Sequence, residues 1–270
     1  MTTINGQTQI LGLVGECITQ SVSYQLHNHC LKTMNINAVY IPLQSSKPLP
    51  IWTIDHFLGA NITMPFKQIL IAKMDILTES AKEIGSINTI HKIGNQLIGD
   101  NTDGMGFLSA INQHSDDIPW NQRPVYIIGA GGAAKAICWA LKKLGVSSIF
   151  VWNRTPQRIE QLRGIIQVEY WDCTKLPNNA IVIQCTPIGT NGGDPLSKID
   201  VHPEQIIIDL IYQKTPLLAR LENVGGLAIN GMGMLVHQAA YSFSRWFQCP
   251  PPIELMWESL SNNPSMEIQQ

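Results

Sequence analysis

The chain has 270 residues, 44% of them hydrophobic and 14% charged, with a formal net charge of −2. That apolar share fills a sizeable core and excludes global disorder. With 18 Lys and Arg against 20 Asp and Glu there is no basic excess to neutralise a phosphate backbone, which argues against nucleic acid as a partner.

Short runs rich in Val and Ile occur at residues 10–14, 38–41, 125–128, 149–152, 181–184 and 206–210. Most lack polar alternation, as parallel strands covered on both faces do. Between them lie helical stretches with readable ends. Thr155-Pro156 and Thr215-Pro216 each set a capping hydroxyl before a proline at the first helical position, and Gly145 and Gly225-Gly226 sit where helices stop. Residues 86–93 and 96–100 flank Gly94-Asn95, which predicts a hairpin. Tyr241, Phe243, Trp246 and Phe247 are expected to pack a helix, and the polar tail from Ser261 is expected to fray. The fold class is therefore α/β, mixed in the first half and doubly wound in the middle.

No stretch reaches the roughly 18 apolar residues that cross a bilayer. Residues 1–6 hold no basic region before a long apolar run, and the six cysteines contain no Cys-x-x-Cys pair. The expectation is a soluble, cytoplasmic protein with free thiols and no membrane partner. His27-Asn28-His29-Cys30 has a metal-like look, but positions i and i+2 diverge on a helix and no second ligand cluster accompanies it, so no metal is expected. Cys17 is expected close to Ser21, but sequence gives it no reactive role.

Two regions carry chemistry. Residues 125–128 run into Gly129-Ala130-Gly131-Gly132-Ala133-Ala134 and then a helical segment, the strand–turn–helix context of a dinucleotide loop. Gly129 permits the turn, Gly131 lets a pyrophosphate approach, and the helix N–H groups hold the anion. The next strand ends in Asn153-Arg154-Thr155, with Arg158 one turn on and no Asp or Glu for the ribose hydroxyls. Two guanidinium groups suit a 2′-phosphate that a carboxylate would repel, so the cofactor is expected to be NADP rather than NAD. In the first half, Asn61-Ile62-Thr63-Met64-Pro65-Phe66-Lys67, Ser86-Ile87-Asn88-Thr89 and Gly99-Asp100-Asn101-Thr102-Asp103-Gly104 concentrate polar side chains. A lysine beside a carboxylate exchanges a proton with an alcohol undergoing oxidation, which makes Lys67 and Asp103 a candidate pair; taken alone, such residues are more often surface charges.

Five blocks, Asn61–Lys67, Gly99–Gly104, Gly129–Ala133, Asn153–Thr155 and Gly231–Ala239, stand in the order found in the shikimate dehydrogenase family, which the chain resembles across nearly its whole length. The resemblance implies two α/β domains with a cleft between them: a mixed-sheet substrate domain over 1–103 plus 234–270, and a Rossmann-like NADP domain over 104–233. It implies reversible reduction of 3-dehydroshikimate to shikimate with NADPH, with Lys67 and Asp103 catalytic. Ser21, Ser23 and Tyr212 would bind the substrate carboxylate, and Thr63, Asn88, Asp103 and Gln238 the ring hydroxyls. Gly129, Ala130, Gly131, Gly132 and Ala133 would cradle the pyrophosphate, and Asn153, Arg154, Thr155 and Arg158 the 2′-phosphate. Thr186 and Gly231 would lie near the nicotinamide. A small-molecule substrate is then the partner, on a monomer or homodimer.

One block departs from the family pattern. Where the family has Gly-Asn-Pro-Ile-x-His-Ser-x-Ser-Pro, this chain has Gly15-Glu16-Cys17-Ile18-Thr19-Gln20-Ser21-Val22-Ser23-Tyr24. Both serines remain. Glu16 adds negative charge near a carboxylate-binding loop, and Tyr24 replaces a proline that fixes backbone angle, so the following helix start is expected to loosen. Two alternatives are a quinate/shikimate dehydrogenase, which Arg154 and Arg158 disfavour because those relatives often use NAD, and a non-catalytic relative, which Lys67 and Asp103 disfavour.

Overall fold

The computed structural model describes residues 4–114 and 117–261. The polar tail beyond Ser261 lies outside them. The chain divides into two compact units, Met1–Thr102 with Val236–Gln270, and Asp103–Leu235.

In the first unit, β1 (Gln9–Gly15), α1 (Ser23–Thr33), β2 (Ala38–Gln44) and β3 (Phe57–Ile62) are followed by α2 (Phe66–Ile69), β4 (Ile76–Leu77), α3 (Glu79–Ile84), β5 (Thr89–Ile93) and β6 (Gln96–Asp100). The strands form one sheet in the order β2-β1-β3-β5-β6-β4. The β1 strand runs parallel to β2 and β3, whereas β3, β5 and β6 pair antiparallel. The β5–β6 pair is the expected hairpin, turning at Gly94 with φ 59°. Val14, Ile62, Phe66, Leu70, Ile87 and Ile90 form part of the core beneath this sheet.

The second unit opens on α4 (Asp103–Ile111) and continues through β7 (Val125–Ile128), α5 (Gly132–Lys143), β8 (Ile149–Trp152), α6 (Glu160–Arg163), β9 (Glu169–Tyr170), β10 (Ile181–Gln184), β11 (Ile206–Asp209), α7 (Pro216–Asn223) and β12 (Leu227–Asn230). Its sheet is parallel throughout, in the order β12-β11-β10-β7-β8-β9. Every residue of β7, β10 and β11 is buried, which accounts for the unbroken apolar runs in the sequence. The order reverses between β7 and β10, and open parallel sheets bind ligands beyond the strand ends at such a point. The chain returns to the first unit within α8 (Met232–Phe247), and α9 (Ile253–Ser261) packs on α1.

The two Thr-Pro signals diverge. Thr215 caps α7, accepting from the Leu218 N–H at 3.3 Å. Thr155 makes no side-chain cap; Pro156–Arg158 is a 3₁₀ turn closed by the Arg158 N–H on the Thr155 carbonyl, and only four residues of α-helix follow. At Tyr24, where the helix start is expected to loosen, the N-cap residue Val22 makes no side-chain cap. The α1 helix begins at Ser23, and the Tyr24 hydroxyl donates to the Ile18 carbonyl, tying the helix start to the preceding loop.

The His27-to-Cys30 segment is core structure. His27 is fully buried and its ring stacks on Tyr40 at 4.3 Å, while Asn28 brackets the Tyr40 backbone with bonds of 2.8 and 3.0 Å. Among the described residues, no group of three His, Cys, Asp or Glu side chains is placed to hold a metal.

Candidate active site

The glycine loop of the second unit follows directly from β7. Gly129 has φ 111°, a region that disfavours any side chain, and a Cβ there would lie 2.9 Å from Thr186 Cγ2. The loop is therefore pressed against the end of β10, and Gly129 and Thr186 are brought together as neighbours. At Gly131 the opposite holds: a Cβ would meet nothing of the protein within 4 Å. Gly132 and Ala133 open α5, so its first N–H groups point out of the loop without helical partners. This combination of an open glycine and a free helix start fits a dinucleotide pyrophosphate.

Asn153 occupies the position after β8 where an NAD site carries an acid. Its Oδ1 accepts from the Ala130 N–H at 3.2 Å and its Nδ2 donates to the Thr155 carbonyl at 2.8 Å, joining the glycine loop to the Asn153–Thr155 turn. Arg154 and Arg158 are exposed, and neither makes an ion pair among the described residues. Two unengaged guanidinium groups and no carboxylate fit a 2′-phosphate.

The ends of β10 and β11 hold two residues that sequence reasoning missed. Gln184 is fully buried, donates to the Thr186 and Ile188 carbonyls at 2.9 and 2.7 Å, and accepts from the Thr186 N–H at 2.6 Å. It fixes the turn that presents Thr186. Asp209 accepts from the Ile211 N–H at 3.1 Å and the Thr215 hydroxyl at 2.8 Å, which shapes the loop carrying Tyr212. Burial pushes its carboxyl up to about 6 despite those bonds. Burial likewise raises the Tyr212 phenol above its ordinary value. Gly231 donates its N–H to the Ile211 carbonyl at 3.0 Å, so its backbone lies beside that loop. A buried Gln after an apolar strand was a signal available in the sequence; the role of Asp209 depends on Thr215 and was not.

In the first unit, the Ser21 hydroxyl donates to that of Ser23 at 3.0 Å. Thr63 follows β3, with its N–H on the Val14 carbonyl at 2.9 Å, while Glu16 and Cys17 are exposed on the adjacent loop. Lys67 lies in the short α2, and its carbonyl accepts from the Ile87 N–H at 2.8 Å, which sets it one residue from the line of Asn88. Asn88 Oδ1 accepts from the Thr102 N–H at 2.8 Å, and Asn88 Nδ2 donates to Thr102 Oγ1 at 2.9 Å and Gln238 Oε1 at 3.4 Å. Asn88 and Gln238, 150 residues apart, are thus brought together. Tyr212 belongs to the second unit, unlike the serines with which it was grouped.

The Gly99–Gly104 block divides by role. Asp100 accepts from Thr78 at 2.6 Å, Ser80 at 2.9 Å and Arg245 at 2.7 Å; burial raises its carboxyl, but these bonds prevail and hold it below the usual range. Asn101 donates to Ser86, and Thr102 to the Gln238 carbonyl at 3.0 Å. Asp103, nearly buried, begins α4. Three of the four polar residues are braces.

Residues 13–90 match the shikimate dehydrogenase substrate binding domain, residues 112–189 the shikimate / quinate 5-dehydrogenase family, and residues 231–260 the shikimate 5′-dehydrogenase C-terminal domain. The shikimate dehydrogenase (NADP(+)) of Rhodospirillum rubrum is 33% identical, over 93% of this chain and 96% of that protein. The crystal structure of shikimate dehydrogenase from Aquifex aeolicus superposes with a TM-score of 0.85 at 26% identity, covering 96% of this chain and all of that one. The shikimate 5-dehydrogenase of Thermus thermophilus, solved with NADP(H) and shikimate, gives a TM-score of 0.82 at 27% identity, covering 94% of this chain and 99% of that one. The likeness runs the length of the chain and through both units, and this protein belongs to the shikimate dehydrogenase family.

Proposed function

We propose that the protein is an NADP-dependent shikimate dehydrogenase, an oxidoreductase acting on a CH–OH group, which reversibly reduces 3-dehydroshikimate to shikimate in aromatic amino-acid biosynthesis. The first unit serves as the substrate domain and the second as the nucleotide domain. The observation that carries the reading is the Asn88–Thr102–Gln238 cluster with Lys67 on the adjoining turn, donors and acceptors suited to a polyhydroxylated ring. The relatives named for this activity support the choice of substrate and cofactor.

When bound, NADPH would supply the hydride to the ring carbon that bears the reacting oxygen, and NADP+ would accept it in the reverse direction. The Gly129–Ala133 backbone would hold the pyrophosphate, and Asn153, Arg154, Thr155 and Arg158 the 2′-phosphate. Thr186 and Gly231 would lie near the nicotinamide. Ser21, Ser23, Thr63 and Tyr212 each donate one hydrogen bond, the serines and Tyr212 to the substrate carboxylate and Thr63 to the ring side. Lys67 gives a proton to the carbonyl oxygen as it is reduced and takes it back on oxidation, while Asp103 accepts from the reacting hydroxyl and orients it. Asn88 and Gln238 bond the remaining hydroxyls. A site of this kind rejects analogues lacking a hydroxyl, because its buried polar groups would be left unpaired.

Among the described residues no helix is long and apolar enough to cross a membrane, and all six cysteines are free thiols. Both fit a cytoplasmic enzyme. We assign it a monomeric or homodimeric state, which light scattering reads directly. The function is tested by shikimate-dependent NADPH formation with the wild-type protein and Lys67→Ala. Turnover by the wild type and loss of it in the variant are expected. Equal rates would remove Lys67 from the mechanism, and no turnover by the wild type would remove the function.

A further inference from the structure

We infer that Ser242 is a positioning residue for shikimate binding, the hub through which Asn88 and Gln238 are held in one arrangement; this rests on the function proposed above. Ser242 is fully buried on α8, four residues after Gln238 and so on the same helix face one turn along. Its hydroxyl donates to the Gln238 carbonyl at 3.0 Å. The same oxygen accepts from Asn61 Nδ2 at 2.9 Å and lies 2.8 Å from Thr89 Oγ1 and 3.2 Å from Thr102 Oγ1. One atom therefore joins β3, β5, the segment before α4 and helix α8.

The neighbours carry the constraint outward. Thr89 donates to Asn88 Oδ1 at 2.9 Å, and Thr102 contacts the same oxygen through its N–H at 2.8 Å and its hydroxyl at 3.2 Å. The Asn88 amide is fixed with its oxygen toward these donors and its nitrogen toward Thr102 and Gln238. On the far side, Asn61 Oδ1 accepts from the Tyr40 hydroxyl at 2.9 Å, which anchors the set in the aromatic core. Asn61, Thr89, Thr102 and Ser242 are all buried, so each lost partner leaves a polar group without water to replace it. Each hydroxyl has a single proton, so removing one oxygen changes the choices of the others. A simple structural serine would brace the helix alone; this one bonds the Gln238 backbone carbonyl and also meets Thr89 and Thr102, the two residues that hold the Asn88 amide, which in turn donates to the Gln238 amide.

The test is shikimate affinity by titration calorimetry and KM, alongside NADP+ affinity and Tm, for wild type, Ser242→Ala, Thr89→Val and the double variant. We expect each single variant to weaken shikimate by about 10-fold with NADP+ affinity unchanged. The double variant should weaken it by much less than the product of the two, since both act through the same amide. If Ser242→Ala does not fold, Thr89→Val decides by the same readout. A folded variant with wild-type shikimate affinity and a lowered Tm alone would overturn the inference. A wild-type protein that binds no shikimate would remove the proposed function and this inference together.

Discussion

The nucleotide loop of the second unit and the hydroxyl–amide cluster of the first are built in opposite ways. The loop comes from one stretch, β7 through the turn after β8, and its parts are backbone N–H groups, a positive-φ glycine and two exposed arginines. The cluster draws Asn61, Asn88, Thr102, Gln238 and Ser242 from four segments, with partners up to 181 residues apart. In the reading proposed above, a locally built site separates its functions: Gly129 serves the fold and Gly131 the ligand. A site assembled at long range couples them, so changes at one residue reach the others. Substitutions in the loop should therefore act singly, and those in the cluster together.

The largest effect is expected where a side chain takes part in the chemistry. Lys67→Ala should lower kcat/KM for shikimate by roughly 10²–10⁴-fold, the range for a general acid–base group, with NADP+ affinity near wild type. Steady-state rates with separate cofactor titrations measure both. Next comes Arg154→Ala, which removes a charge-assisted contact of about 1.5–3 kcal/mol and should weaken NADP+ roughly 10- to 100-fold while sparing NAD+. An unchanged cofactor preference would show that the 2′-phosphate is held elsewhere.

The glycines sharpen the comparison within the loop. Gly129→Ala forces a methyl into a positive-φ position against Thr186, at a cost of about 1–3 kcal/mol, and Tm should fall. Gly131→Ala meets no protein atom, so Tm should stay and nucleotide affinity should drop. If both variants lose Tm equally, the division between fold and ligand is wrong.

In pH dependence the two units should answer with opposite sign. Burial holds the His27 imidazole of the first unit down at about 3, against an ordinary 6.5. Its contribution to stability is complete above about pH 6.5 and is lost as pH falls toward 3, because the unfolded chain takes up the proton first. Burial raises Asp209 of the second unit to about 6, so its contribution is complete below about pH 4 and is lost as pH rises through 6. Thermal melts across this range should show a shallower acid loss for His27→Leu, and for Asp209→Asn a gain over wild type that grows from about pH 4 to 6 and then levels off.

The sequence carried β7, β8 and β10 to the residue, because they are short apolar runs, but it did not mark the parallel strand β12, and it stopped β2 three residues short. Its glycine spacing also marked the turn that follows β7, although not the contact of Gly129 with Thr186. The two-residue edge strands β4 and β9 were not legible, since so short a run has no period to detect. Nor was the absence of a Thr155 side-chain cap, where the chain closes a 3₁₀ turn over Pro156–Arg158 in place of a longer helix. Within the site, Asn88 and Gln238 were visible as family positions, but Ser242 was not. Three of its four contacts come from distant segments, and no local pattern records them.

The most direct check on the whole account is kcat/KM for shikimate oxidation by the unmodified protein with NADP+ and with NAD+. A value with NADP+ at least about 10-fold the higher is predicted from the paired arginines. Equal or reversed values, or turnover with neither cofactor, would contradict it.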